Sequence, residues 1–214
     1  MTGLAAVTGA VVASGATAYL LSTRLRRWGT RGDEATRPLP GEELVPGPAA
    51  SLTQAVDIAA PPEQVWPWVA QLGQDKGGFY SYAWLENLGG ARVTNADHLD
   101  PAWQQTQEGD RLRLHPRAAL EVQRVVPGRL LVAGHHELLA GLGFQWVFLL
   151  TPDGPGRTRL LVRERYVVPL LLPRALAHLA TVGSAVMSHR MLRGIRERAE
   201  RQLTAGPGVP AAPR

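Results

Sequence analysis

The 214-residue sequence predicts an α+β fold: a curved antiparallel sheet covered by one long helix, preceded by a single N-terminal transmembrane helix. Three observations predict it. One strand-like stretch and two short helical patterns lead into five alternating runs separated by tight-turn signals. A long amphipathic helical pattern closes the chain, and an antiparallel sheet with one face to cover needs such a helix. Residues 2–23 carry no charge at all.

That uncharged stretch, with the Ala-, Val- and Gly-rich run 4–21 (LAAVTGAVVASGATAYLL) inside it, reaches roughly 33 Å at ~1.5 Å per residue, about a hydrocarbon core. Arg24, Arg26 and Arg27 with Trp28 supply a positive flank and an interfacial anchor. By the positive-inside rule, residues 1–23 are expected to be a single-pass anchor of the cell membrane, with everything after them cytoplasmic. A peripheral amphipathic segment and a cleaved signal remain as alternatives. Ala16-Thr17-Ala18 resembles a cleavage site, but a secretory signal needs its positive charge ahead of the apolar run. Residues 24–51 then read as a basic juxtamembrane segment and a linker punctuated by Pro38, Pro40, Pro46 and Pro48.

Residues 52–203 read as one domain. A strand is expected over 52–58. Pro62 opens a helix over 62–72 that puts Val65, Trp66, Val69 and Leu72 on one side, and Gly73, Gly77 and Gly78 end it. A second short helix spans 82–88. Strands follow at 110–115, 119–125, 129–136, 144–150 and 158–166, with connections short enough to force an antiparallel meander. From Pro173 the spacing of Leu176, Ala180, Met187, Met191, Ile195 and Ala199 predicts the long closing helix. Residues 204–214 (TAGPGVPAAPR) read as a disordered tail.

Composition excludes several function classes. An apolar content of 45% against 19% charged rules out wholesale disorder. The absence of cysteine removes a disulfide framework, a thiolate metal site and a cysteine nucleophile. The net charge is +5, yet Arg24, Arg26, Arg27 and Arg31 fall in the first 32 residues without an acid, so the remainder is nearly neutral. No nucleic-acid partner is expected of such a body.

The stretches IAAPPEQVWPWVAQL (58–72), GGFYSYAWLENLGG (77–90), NADHLDPAWQ (95–104), GDRLRL (109–114), PGRLLV (127–132) and TRLLVRERY (158–166) together resemble the START-like, or SRPBCC, superfamily. More narrowly they resemble its polyketide cyclase/dehydrase and lipid-transport branch. The resemblance covers about 53–201. It implies a helix-grip fold around a deep hydrophobic pocket, in which most members bind lipids, sterols or polyketides and a minority catalyse cyclisation or dehydration. It carries no shared catalytic signature, and fold alone does not assign function.

Candidate site residues come from three places. Phe79, Tyr80, Tyr82 and Trp84 crowd six positions of a glycine-flanked loop. Tyr80, Tyr82 and Trp84 are candidate ligand contacts at a pocket rim, or else simply pack a short helix onto the sheet edge. In 158–166 the alternation puts Glu164 with Leu160, Val162 and Tyr166, and Arg159, Arg163 and Arg165 on the other face. If the first face is concave, Glu164 is a carboxyl in a low-dielectric cavity, the one candidate for acid/base chemistry; if not, it is solvated or ion-paired. Trp146 in the fourth strand of the meander and Met187 and Met191 in the long helix complete the ligand-binding set.

No metal or cofactor is expected. His135, His136 and Glu137 look like ligands, but consecutive strand residues point to opposite faces. Asn95, Asp97 and Asp100 suit side-chain-capped turns. The expectation is therefore a membrane-tethered protein that binds a hydrophobic small molecule or lipid. Two other readings stay open: a cyclase/dehydrase-type enzyme, which requires a polar group deep in the cavity, and an interaction module with a filled core. The oligomeric state is not legible.

Overall fold

The computed structural model describes residues 21–139, 142–168 and 174–205. Six strands form one antiparallel sheet in the order β1-β6-β5-β4-β3-β2, with β1 Ala50–Ile58, β2 Arg111–His115, β3 Ala118–Val126, β4 Leu130–Leu139, β5 Leu142–Pro152 and β6 Thr158–Val167. The meander from β2 to β6 is the expected one. The first strand returns to pair with the last, Leu52 facing Glu164 across the ladder. Register shifts between Arg113 and His115, Val122 and Arg124, and His135 and Leu139 interrupt the ladders. Such bulges bend strands and increase local twist, which curves the sheet. Between β1 and β2 lie the helices α1 (Pro62–Ala70) and α2 (Ala83–Leu88), and α3 (Arg174–Ala205) closes the domain.

The inner face of the sheet, α1 and α3 share one core that includes Val56, Ile58, Trp68, Phe148, Leu160, Val162, Leu192 and Ile195. On α3 the buried positions Thr181, Ala185, Ser188, Leu192, Ile195 and Ala199 recur every three or four residues, the stripe a helix lays on a sheet. Arg198 lies on the same side, where its guanidinium donates to the Ala96 carbonyl at 2.8 Å and pairs with Asp97 at 2.7 Å. Asp100 caps a single helical turn by accepting from the Ala102 N–H at 2.9 Å, in keeping with the capped-turn expectation.

The outer face is covered too. Leu39, with Leu44 beside it, packs on Ala55, Leu130, Val132, Val147, Leu149 and Leu161 in a second cluster. Beside that cluster the β6 arginines are clamped by the chain that precedes β1. Arg159 pairs with Glu34 at 2.5 Å and Asp57 at 3.0 Å, and Arg163 pairs with Glu42 at 2.5 Å. Arg165 donates to the Glu42 and Val45 carbonyls at 2.6 and 2.7 Å. The stretch expected as a semi-extended linker therefore forms a strap over the sheet, held by contacts between residues far apart in sequence.

The N-terminal expectation is corrected in the same way. Among the described residues no helix is long and apolar enough to cross a membrane. Among the described residues the fold class is α+β with no transmembrane helix, which overturns the expected single-pass anchor and its location at the cell membrane as readings of this structure. Positions 1–20, which hold almost all of the uncharged run, lie outside the described residues, as do 206–214 of the expected tail. The supposed interfacial flank packs against the domain. The Leu25 carbonyl accepts from Gln54 at 2.7 Å, the Trp28 carbonyl accepts from the Ala55 N–H at 3.0 Å, and the Trp28 ring meets His189 edge-on with centroids 4.2 Å apart. These contacts cover the free edge of β1, a site at which unpaired backbone groups invite aggregation.

Candidate functional site

The antiparallel ladder sets Trp146 on β5 directly opposite Glu164 on β6, and Phe144 opposite Tyr166. All four face α3, because every second residue of a strand shares a face. On α3, Ser184 and Ser188 are one helical turn apart, as are Met187 and Met191, and both pairs line the same space. The loop before α2 adds Phe79 and Ser81, α2 adds Glu86 and β2 adds Leu114. Together they enclose a cavity of about 200 Å³. Glu164, Ser188 and Met191 are buried in its wall, while Glu86, Leu114, Phe144, Ser184 and Met187 are half-buried and mark its mouth.

Glu164 is fully buried, and three hydroxyls donate to it. Tyr166 Oη and Ser184 Oγ reach Oε2 at 2.5 Å each, and Ser188 Oγ reaches Oε1. Burial pushes its carboxyl above the usual carboxylate range, and the hydroxyl donors only partly oppose that shift. The concave alternative for this residue is the one realised, and the arginines of β6 take the opposite face.

Of the other candidates, Trp146, Met187 and Met191 line the cavity, whereas Tyr80, Tyr82 and Trp84 do not. The reason for Tyr80 is local. It adopts φ 54°, in the left-handed region, and Asn95 Oδ1 accepts from the N–H groups of Phe79 at 3.1 Å and Tyr80 at 2.7 Å. With the chain turned there, Phe79 and Ser81 face the cavity. Tyr80 packs instead on Trp68, 5.8 Å between centroids, with the Arg198 guanidinium 4.6 Å from its ring centre. Tyr82 and Trp84 are exposed, Trp84 at 66%.

The residue that sequence reasoning misses is Glu86. On α2 the ordinary pattern is inverted: Trp84, Leu85 and Leu88 face outward while the single acid turns to the cavity. Its Oε2 is buried with no hydrogen-bond partner, and burial pushes the carboxyl up to about 7. The indole N–H of Trp146 likewise has no partner. Serines 81, 184 and 188 are missed as well, because serine on a helix or loop carries no signal of its own. Among the described residues no group of three or more acidic or histidine side chains converges as a metal site would require.

The Glu86 geometry makes a pH prediction. A carboxyl raised by the fold stabilises it while protonated, and that contribution is lost as pH climbs through about 7. Urea midpoints of wild type and Glu86→Gln should differ little at pH 5. By pH 8 the variant should lead by roughly 1–2 kcal/mol, an amount reduced for the water that still reaches the mouth. A difference that does not change with pH would show that the fold does not raise the Glu86 carboxyl.

A meander closed by its first strand and spanned by a long C-terminal helix over a cavity is the helix-grip arrangement that the sequence resemblance implies. Solved structures overlap it in part. A protein from Rhodobacter sphaeroides is 22% identical, with 76% of this chain and 98% of that one covered at a TM-score of 0.44. A START superfamily protein from Mycobacterium smegmatis is 15% identical over 71% and 97% of the two chains, with a TM-score of 0.42. A polyketide-cyclase-like protein from Corynebacterium glutamicum is also 15% identical, over 76% and 98%, with a TM-score of 0.42. No protein-family model matches the chain, and no curated protein matches it significantly.

Proposed function

We propose that the domain binds a compact hydrophobic molecule in the cavity between the sheet and α3. The observation that carries this reading is the lining: Phe79, Leu114, Phe144, Met187 and Met191 form apolar walls around a few placed polar groups, the composition ligand sites have. Volume narrows the class. About 200 Å³ is less than the roughly 300–1,000 Å³ of pockets for drug-sized ligands. A single-ring or short-chain body suits it better than a whole diacyl lipid, so the lipid half of the expected ligand class recedes.

One observation favours a second reading, a cyclase/dehydrase-type enzyme acting on a polyketide-like substrate. That chemistry requires a proton donor or acceptor held inside an apolar space, and Glu164, raised by burial, is such a group.

The binding reading is tested by native mass spectrometry of the full chain purified from its own host. Wild type should carry a compact co-purifying molecule. Met191→Trp, which places a large side chain into the fully buried end of the cavity, should lose it while keeping a native circular-dichroism spectrum. An empty wild type, or the same mass on both proteins, would overturn the proposal.

A further inference from the structure

The polar groups of the cavity also have a sign. Its described lining holds two carboxyl groups, Glu86 and Glu164, and no lysine, arginine or histidine. Glu164 is committed to three hydroxyl donors. Glu86 has an oxygen with no partner, and Trp146, over nine-tenths buried in the same wall, has a ring N–H with none. Buried polar groups left unpaired are costly, and an occupant of the cavity is one source of the missing partners. Those two groups ask for a hydrogen-bond donor at Glu86 and an acceptor at Trp146. Around them stand three aromatic rings, with Trp146 6.0 Å from both Phe79 and Phe144 between centroids.

We propose that the cavity selects a compact organic ammonium compound that also bears a hydroxyl or carbonyl oxygen. The ammonium group donates to Glu86 at the mouth, and the oxygen accepts from the Trp146 N–H. Charge-assisted hydrogen bonds are about twice as strong as neutral ones, and a cation against aromatic faces is held more tightly still. A carboxylate or phosphate in the same place has no cation among the described lining residues to neutralise it and two carboxyls to repel it. Fatty acids and phospholipid headgroups are therefore excluded from this position. The inference rests on the cavity being the binding site proposed above.

Three probes sharing one body separate the possibilities: phenylethanolamine, its neutral isostere styrene glycol, and the anion mandelate. Each is titrated calorimetrically into the full chain near neutral-to-basic pH, with wild type, Glu86→Gln and Met191→Trp compared. The amine should bind about tenfold more tightly than the glycol, and mandelate most weakly of the three. Glu86→Gln should bring the amine to the level of the glycol. An amine that binds no better than the glycol, a preference that survives Glu86→Gln, or mandelate matching the amine would each overturn the ammonium inference while glycol binding still supports the cavity. If no probe binds, or Met191→Trp leaves binding unchanged, the cavity reading fails and this inference fails with it.

Discussion

Replacing Gly194 with alanine should destabilise the protein by roughly 2–3 kcal/mol and abolish ligand binding, although alanine is the better helix former by ~1 kcal/mol. A Cβ at this position in α3 would stand 2.3 Å from the Tyr80 carbonyl oxygen and 2.7 Å from its Cβ. Neither atom can yield easily. Tyr80 is held in the left-handed region by Asn95, and its ring is packed between Trp68 and Arg198. Relief requires α3 to move off the loop, and Met187 and Met191 of the cavity wall move with it. Gly183, on the same helix, is the control, because a Cβ there would meet only open space. Gly183→Ala should gain up to ~1 kcal/mol. Urea unfolding of both variants checks the pair. A neutral or stabilising Gly194→Ala would show that the close approach of loop and helix does not hold.

The second large effect is expected at Arg159. Its side chain is only 6% exposed and its partner Glu34 12%, and it also donates to the Gly29 carbonyl at 2.5 Å. Removing one member of a buried pair leaves the other charge uncompensated, at a cost of roughly 3–5 kcal/mol. Arg159→Met should lose that much and release the strap, which limited proteolysis before β1 would detect. A double variant, Arg159→Met with Glu34→Met, should recover most of the loss, since an apolar pair of similar volume replaces the ions. Acid provides a further check. Burial pushes Glu34 up, but its hydrogen bonds to Arg159 and the Arg31 N–H outweigh that and leave it below the usual value of 4.5. The pair's contribution is thus present above about pH 4.5 and lost as pH falls, so the gap between wild type and Arg159→Met should narrow in acid. A gap of under 1 kcal/mol at neutral pH would mean that the strap is held without the Arg159 pair, by Arg163, Arg165 and the Leu39 cluster.

Local signals carry most of the fold. The helix expected over 62–72 is found as Pro62–Ala70, and the strand expected over 158–166 as Thr158–Val167. Proline, glycine and period-two alternation act within a few residues, so their reading survives without tertiary information. The candidate site is legible only in part, and each omission has a cause. Trp146 and Glu164 stand out because a large aromatic and a lone acid are conspicuous in apolar strands. Glu86 does not, because the apolar residues of AWLENL should be buried and its acid exposed, and the structure reverses that order. Tyr80 turns away from the cavity because one left-handed residue changes which neighbours face inward, and nothing in the loop's composition announces it.

What the sequence determined by itself was the order of the elements, the alternation that divides β6 into two faces, and the absence of cysteine chemistry. The tertiary structure decided which face of β6 is concave, and with it that Glu164 enters a cavity while Arg159, Arg163 and Arg165 meet the strap. It also decided that the proline-rich stretch before β1 is packed against the sheet, and that no described helix can cross a membrane. The physical reason is range. Periodicity and turn chemistry are properties of neighbours along the chain, whereas burial, ion pairing and the shape of a cavity arise between residues brought together from opposite ends of it.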